Sequence, residues 1–455
     1  MINYKLKILV ILMAVFAACN QTPPAQKEAP VASQAPVPQW LNDAVIYEVN
    51  VRQYTPEGNF EAFADHLPRL KELGVDVLWF MPIYPIGQEN RKGKLGSYYS
   101  IRDYKAVNPE FGTFEDFKAL VDMAHEMGMK VVLDWVANHT AWDHAWVSEH
   151  PDWYEKDSTG NMFAPMDWSD VVQLDYDNPE MRAAMQDALA FWVREANIDG
   201  YRCDVAGMVP VDFWEEATSD LQQIKPLFML AEDEDETALL NKAFNANYGW
   251  ALHHLLNGLA QGTAKASELR SHIEEQQQRL PQGAFSMQFT TNHDENSWNG
   301  TAFDRMGAAF PTLAALTFVV EGMPLIYSGQ EAGLNKQLDF FDEDSIDWSD
   351  LRLTPFYQEL IQLKKDNPAL WNGNVGGRME FLNNTKPGQA LVFKRTRDNN
   401  SIYALFNLSD QPLILPLGFG LEGQYEDALT GEKINLSNED LKLAPWAYHL
   451  ISVKE

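Results

Sequence analysis

The sequence predicts an α/β fold: a (β/α)8 barrel with a short inserted subdomain after its third strand and a C-terminal antiparallel β-sandwich. Three observations predict it. Strand-like apolar runs alternate with segments of helical period from residue 44 to about residue 363. Those runs are continuously apolar, as strands buried on both faces of a parallel sheet are. From about residue 374 the helical period stops, and short strands separated by polar turns follow.

The N-terminus reads as a targeting segment. Lys5 and Lys7 precede an apolar run over residues 8–18, too short to span a bilayer as a mature anchor. The run ends in Phe16-Ala17-Ala18-Cys19, which resembles a bacterial lipobox, with Phe16 where Leu is usual. That resemblance implies removal of residues 1–18, acylation of Cys19 and a place in the cell envelope, on the periplasmic or outer-membrane face. Residues 19–39, rich in Pro, Ala and Gln, read as a flexible tether.

The barrel is expected over residues 40–138 and 179–372. Ala44-Val45-Ile46-Tyr47-Glu48-Val49 is its first strand, and Phe60, Phe63, Leu67 and Leu70 follow at helical spacing. Val75-Asp76-Val77-Leu78-Trp79-Phe80 is the second strand. Thr113 and Asp116 look like a capping box opening a helix that Gly128 stops. Lys130-Val131-Val132-Leu133-Asp134 is the third strand. Pro179 opens a helix ending near Asp199-Gly200. Further strands are expected at 200–204, 227–232, about 247–252, 285–291 and 324–328. Residues 139–178 form the insertion, whose tryptophans (Trp142, Trp146, Trp153 and Trp168) read as packing. Residues 373–455 are the sandwich, expected to cap the barrel rather than bind glycan.

Composition excludes some functions. The chain has 455 residues, 45% hydrophobic, with a formal net charge of -30. Nucleic acid and anionic lipid both reward Lys and Arg, so neither is an expected partner. Of two cysteines, Cys19 is claimed by the lipobox, and Cys203 reads as a small core residue. No disulfide framework is possible in the mature chain.

Three acids close short apolar runs: Asp204, Glu232 and Asp294. Strand ends at the C-terminal face are where a barrel of this kind builds its site. Arg202 lies two residues before Asp204, so the two side chains share a strand face. Its charge is expected to hold Asp204 ionised.

The motifs around these acids resemble those of the α-amylase family, glycoside hydrolase family 13. They are Asp134-Trp135-Val136-Ala137-Asn138-His139, Gln173-Leu174-Asp175, Gly200-Tyr201-Arg202-Cys203-Asp204, Ala231-Glu232, Asn292-His293-Asp294 and the run from Gly322 to Glu331. The resemblance covers nearly all of the chain after Gln39. It implies that Asp204 is the nucleophile, Glu232 the acid/base with a raised pKa, and Asp294 the stabiliser of the transition state. It also implies that Tyr99 stacks on the sugar, that His139 and His293 contact it, and that Asp134 supports both histidines.

A structural Ca²⁺ on Asn138 and Asp175 is implied by the same resemblance. Gly207-Met208 stands where the family has Lys-His, which weakens that site and moves the acceptor side away from endo-acting amylases. The acidic, aromatic region 336–348 is expected to shape the acceptor side instead. The implied function is retaining hydrolysis of α-1,4 bonds in starch, glycogen or maltooligosaccharides. Two alternatives stand beside it: a transglycosylase or α-1,6-acting member of the family, and a non-catalytic glycan-binding lipoprotein.

Overall fold

The computed structural model describes residues 37–416, 421–436 and 440–454. The expected signal peptide, Cys19 and most of the tether lie outside the described residues. Among the described residues, no helix is long and apolar enough to cross a membrane.

Eight parallel strands close into a barrel. In chain order, β1 (Ile46–Val49), β2 (Val77–Phe80) and β3 (Lys130–Val136) come first. A hairpin, β4 (His139–Ala141) and β5 (Val171–Gln173), interrupts them. Then follow β6 (Gly200–Asp204), β7 (Phe228–Ala231), β8 (Ala246–Tyr248), β9 (Phe285–Gln288) and β10 (Met323–Tyr327). Around the ring the order is β1, β2, β3, β6, β7, β8, β9, β10, closing back on β1.

Residue parity explains the two-layered core. Ile46, Val77, Trp79, Val132, Phe228 and Leu230 pack inside the barrel. Their neighbours Val45, Tyr47, Leu78, Val131, Tyr201 and Cys203 point outward against the helices. Buried on both faces, the strands have no polar alternation. Helix Phe114–Glu126 shows the matching helical pattern: the Thr113–Asp116 capping box forms, and Phe117, Leu120, Val121 and Ala124 are buried. Each of the larger side chains contributes about 1.5–3 kcal/mol by burial. Helix Pro179–Glu195 starts on Asn178, which accepts from two backbone N–H groups, and on Pro179, which has no N–H to leave unpaired.

Two strand expectations shift. The sixth barrel strand is Ala246–Tyr248, not 247–252, because Trp250–Ala260 is already helical. The seventh ends at Gln288, and Asp294 sits in the first turn of helix His293–Trp298 rather than closing a strand. Asn292 caps that helix by accepting from Glu295 N at 2.8 Å.

The C-terminal region is antiparallel. β11 (Met379–Phe381), β12 (Ala390–Arg397) and β13 (Asn400–Asn407) are followed by β14 (Leu413–Leu415), β15 (Gln424–Glu426), β16 (Lys433–Asn435), β17 (Leu441–Leu443) and β18 (Tyr448–Lys454). Strands β11, β12, β13 and β18 form one sheet, and the rest form two-stranded pairs. One face of the main sheet (Ala390, Val392, Leu405, Ile451) packs on Leu413, Leu415, Ile434 and Leu443. The opposite face (Leu391, Phe393, Ala404, Phe406) joins the core around the barrel helices. Arg395, 1% exposed, donates to the carbonyls of Val319, Val320, Trp371 and Gly377 at 2.7–3.1 Å. That arginine ties the sheet to the barrel.

Candidate active site

Asp204 and Glu232 meet, together with Asp134, on a single arginine. Arg202 is fully buried on β6, and parity points it and Asp204 inward. Its Nη1 donates to Asp134 Oδ1 at 2.9 Å and Asp204 Oδ1 at 3.0 Å. Its Nη2 lies 2.8 Å from Glu232 Oε1, a close ion contact rather than an aligned hydrogen bond. Its Nε donates to the Tyr248 hydroxyl at 3.0 Å, and its charge faces the rings of Trp79, Tyr99 and Tyr248. One guanidinium therefore holds three carboxylates from three neighbouring strands. Burying so many carboxyls in one place is costly unless each is paired, and here all three of these touch the arginine.

Burial and mutual repulsion act on these carboxyls in the opposite direction to Arg202. Burial, with repulsion from Asp204 and Asp294, pushes Glu232 up to about 8 against the pull of Arg202. Burial, with Asp134 and Asp294, lifts Asp204 to about 6 although Arg202 lowers it. Asp134 is likewise raised to about 6 by burial. The raised Glu232 agrees with the sequence expectation. For Asp204, desolvation exceeds the effect of Arg202, so the group lies above the ordinary carboxylate range rather than below it.

A second network stands beside the first. Tyr99 donates its hydroxyl to Asp134 Oδ2 at 3.1 Å and accepts from His293 Nε2 at 2.8 Å. His293 Nδ1 donates to Glu48 Oε1 at 2.5 Å, and its Nε2 lies 3.4 Å from Asp294 Oδ2. Burial alone would lower the His293 pKa, but the charges of Asp294 and Glu48 and the Glu48 hydrogen bond raise it to about 9. His139, by contrast, is pushed down to about 4 by burial and is neutral at pH 7. The pocket thus sets one charged and one neutral imidazole near the same acids. Asp134 reaches His293 through the Tyr99 hydroxyl, while the Nδ1 of His139 faces Asn138. The expected support by Asp134 thus reaches His293, through Tyr99 and by charge, while its other hydrogen bonds run to Trp79 and Arg202 rather than to His139.

Asp204, Glu232, Asp294, Tyr99, His139 and His293 all line one cavity of about 220 Å³. Asp134 and Arg202 lie beneath it. Cys203 is buried with outward parity, as expected.

Several contributors were not read from the sequence. Glu48 is fully buried on β1, and its signal was available: a carboxylate inside an apolar strand, two residues after inward-facing Ile46. Val205 had no signal. Its φ of 38° and ψ of 47° are left-handed, an outlier for a β-branched residue. That conformation, at a cost of about 1–3 kcal/mol, directs its N–H to Glu232 Oε2 at 2.8 Å. Trp168, assigned to packing, lines the cavity with its ring 5.4 Å from His139. The other three insertion tryptophans pack against the core. At Gly207 a Cβ would come within 2.1 Å of Asp233 Oδ2, so a side chain there would require the Asp233 carboxylate to move.

Asn138 and Asp175 do not fit a Ca²⁺ site as arranged. The ion takes six to eight oxygen ligands. Here the Gln173 side-chain amide occupies the centre of the oxygen set: its Nε2 donates to Asn138 Oδ1 at 3.0 Å, Asn138 O at 3.2 Å and Leu174 O at 3.3 Å. Asp175 is turned to the backbone N–H of Asp177. Among the described residues, no group of three or more His, Cys, Asp or Glu is placed to hold a metal.

The family described as "Alpha amylase, catalytic domain" matches residues 37–168 and 149–407. Alpha-amylase MalA of Haloarcula japonica is 29% identical over 425 residues, covering 89% of this chain but only 61% of that protein. An α-amylase structure from Lactobacillus plantarum is 32% identical, with a TM-score of 0.82, covering 91% of this chain and 99% of that one. Maltogenic alpha-amylase AmyB from Thermotoga neapolitana is 29% identical, with a TM-score of 0.83, covering 92% and 100% respectively. The closed barrel, the acids Asp204 and Glu232 at its strand ends and these matches agree: the chain belongs to the α-amylase family, glycoside hydrolase family 13.

Proposed function

We propose that the chain is a retaining glycoside hydrolase that cleaves α-1,4-glucosidic bonds of starch, glycogen or maltooligosaccharides. The observation that carries this reading is the pair of acids on Arg202, with Asp204 near 6 and Glu232 near 8. At pH 7 the first is mainly ionised and the second mainly protonated. Two carboxyls with separated pKa values, close enough to share a guanidinium, suit the division into nucleophile and acid.

Asp204 attacks the anomeric carbon while Glu232 gives its proton to the leaving oxygen. The glycosidic C–O bond breaks, and an ester to Asp204 forms. Water then enters on the Glu232 side, Glu232 takes its proton, and the water oxygen displaces Asp204. Two inversions leave the anomeric configuration retained. When the ester forms, Asp204 loses its charge, and Arg202 still has Asp134 and Glu232. Tyr99 offers its ring to the apolar face of the sugar. Protonated His293, neutral His139 and Asp294 face its hydroxyls, and Asp294 stabilises the oxocarbenium-like transition state. No step requires a metal.

The test is Asp204→Asn with an activated α-maltooligosaccharide as substrate. Turnover should fall by about 10⁴-fold or more; turnover at the wild-type rate would remove Asp204 as nucleophile. Product analysis on maltoheptaose and pullulan separates hydrolysis from transfer and α-1,4 from α-1,6 cleavage. Longer products, or cleavage of pullulan at its α-1,6 links, would move the reading to those relatives. The complete acid set opposes a purely glycan-binding protein.

The same reading places the enzyme in the cell envelope, held by an acylated Cys19. It rests on the Lys5–Cys19 sequence pattern. Labelled fatty acid should enter the wild-type chain and not a Cys19→Ala variant.

A further inference from the structure

The cavity over Asp204 is walled on one side, and the ring order says which. Glu232 follows β7, which lies four strands from β1 in either direction around the eight-strand ring. The loops that follow β2 and β10 flank β1, so they stand across the pocket from Glu232. A leaving group must lie beside the acid that protonates it, so the opposite side receives the glycone. Region 336–348, expected to shape the acceptor side, lies in the loop that follows β10, on the side of the ring opposite Glu232.

That side is closed by contacts between loops from four different strands. Lys92, after β2, bridges to Asp170 of the insertion at 3.0 Å, and Asp170 is nearly buried. Leu95 N donates to Phe341 O at 2.9 Å. A Cβ on Gly93 would come within 2.4 Å of Phe341 Cβ, so the two loops are in full contact. Arg52 donates to the carbonyls of Gly96 and Phe340 at 3.1 and 3.4 Å, tying both loops to the barrel. Phe340 lies parallel to Tyr99 at 6.3 Å, and Trp298, after β9, leans on Phe340 at 5.2 Å. Lys92, Asp170, Phe340 and Phe341 all line the cavity. Its volume of about 220 Å³ is below the roughly 300–1,000 Å³ of pockets that take drug-sized ligands.

We infer that the pocket admits a glycone of one or two glucosyl units, that the Lys92–Asp170 bridge backed by Phe340 and Phe341 is the stop that sets this length, and that the enzyme therefore works from non-reducing chain ends. This rests on the assignment of Asp204 and Glu232 above. Lys92 and Asp170 are specificity-determining residues: they bound the space beyond the sugar at Asp204 and take no part in bond cleavage. A longer glycone would have to displace a charge pair of which Asp170 is 4% exposed.

The experiment compares maltoheptaose with maltoheptaose blocked at its non-reducing end, for wild type, Lys92→Ala and Asp170→Ala. Wild type should release glucose or maltose first and cut the blocked substrate at least about 100-fold more slowly. Lys92→Ala, at a side chain one-third exposed, should release maltotriose or longer products and narrow that gap about ten-fold or more. Asp170→Ala should do the same. Equal wild-type rates on both substrates, early release of maltotriose or longer, or an unchanged product pattern in both variants would overturn the stop. p-Nitrophenyl α-maltoside separates the two readings. If its turnover depends on Asp204 and the blocked substrate is still cut freely, only the stop fails. If wild type shows no Asp204-dependent turnover, the hydrolase reading fails and takes the stop with it.

Discussion

Replacing Glu232 by Gln tests the acid assignment through stability as well as rate. The environment lifts this carboxyl from an ordinary 4.5 to about 8, chiefly by burial. Over that range the folded chain keeps a proton that the unfolded chain has released. The associated stability is fully present below about 4.5, falls as pH rises, and is lost once pH passes about 8. The slope is about 1.4 kcal/mol per pH unit. By pH 7 the wild type has therefore given up on the order of 3 kcal/mol, and at pH 5 less than about 1 kcal/mol. Gln is a neutral isostere that keeps a carbonyl oxygen for the Val205 N–H. Glu232→Gln should thus be more stable than wild type by on the order of 3 kcal/mol at pH 7, a Tm rise of roughly 3 °C for a chain of this size. At pH 5 the gain should nearly vanish. Hydrolysis of maltoheptaose should fall by about 10²–10⁴-fold, while α-maltosyl fluoride, whose leaving group needs no proton, should lose far less. In wild type, activity should rise through about 6 as Asp204 ionises and fall through about 8 as Glu232 ionises. In the variant only the lower limb should remain. A surviving limb near 8, or an equal Tm gain at pH 5 and pH 7, would refute the reasoning.

Other perturbations reach further parts of the molecule. Glu48→Gln removes a charge and a charged hydrogen bond that raise His293, so the imidazole should titrate well below 9 by NMR. kcat/KM should then drop roughly ten-fold, about 1.4 kcal/mol. Exhaustive chelation should leave Tm and kcat/KM unchanged, because the Gln173 amide stands among the oxygens that an ion would use. Gln173→Ala should cost about 1–3 kcal/mol by stranding the Asn138 and Leu174 acceptors, measured by urea unfolding. Arg395→Met should destabilise the chain by roughly 3 kcal/mol or more, since four buried carbonyls lose their donor. Its kcat/KM at low temperature should match wild type.

Much of this protein is determined by short-range information. Continuous apolar strands, the Thr113–Asp116 box and Pro179 specify barrel elements because backbone hydrogen bonding and period-2 or period-3.6 burial depend on neighbours in sequence. The positions of Asp204 and Glu232 are legible for the same reason: inward parity runs through Arg202 to Asp204, and through Phe228 and Leu230 to Glu232. Asp294 lines the pocket from a helix rather than from a strand end, because an N-cap asparagine and a strand end look alike in a row of polar residues. Burial decides the rest, and burial belongs to the whole fold. Whether Arg202 or desolvation governs Asp204 depends on how much water the barrel mouth excludes. The left-handed turn at Val205 exists because the structure around it over-determines it. Glu48 meets His293 across 245 positions of sequence, and the glycone wall arises where loops from β2, β9, β10 and the insertion interlock. Sequence alone determined which residue types could do the chemistry and on which strand faces they lie. Only closure of the ring decided which of them share a charge, which are neutral, and how much sugar fits between them, because those quantities depend on distances and dielectric between segments that the chain brings together only when the barrel shuts.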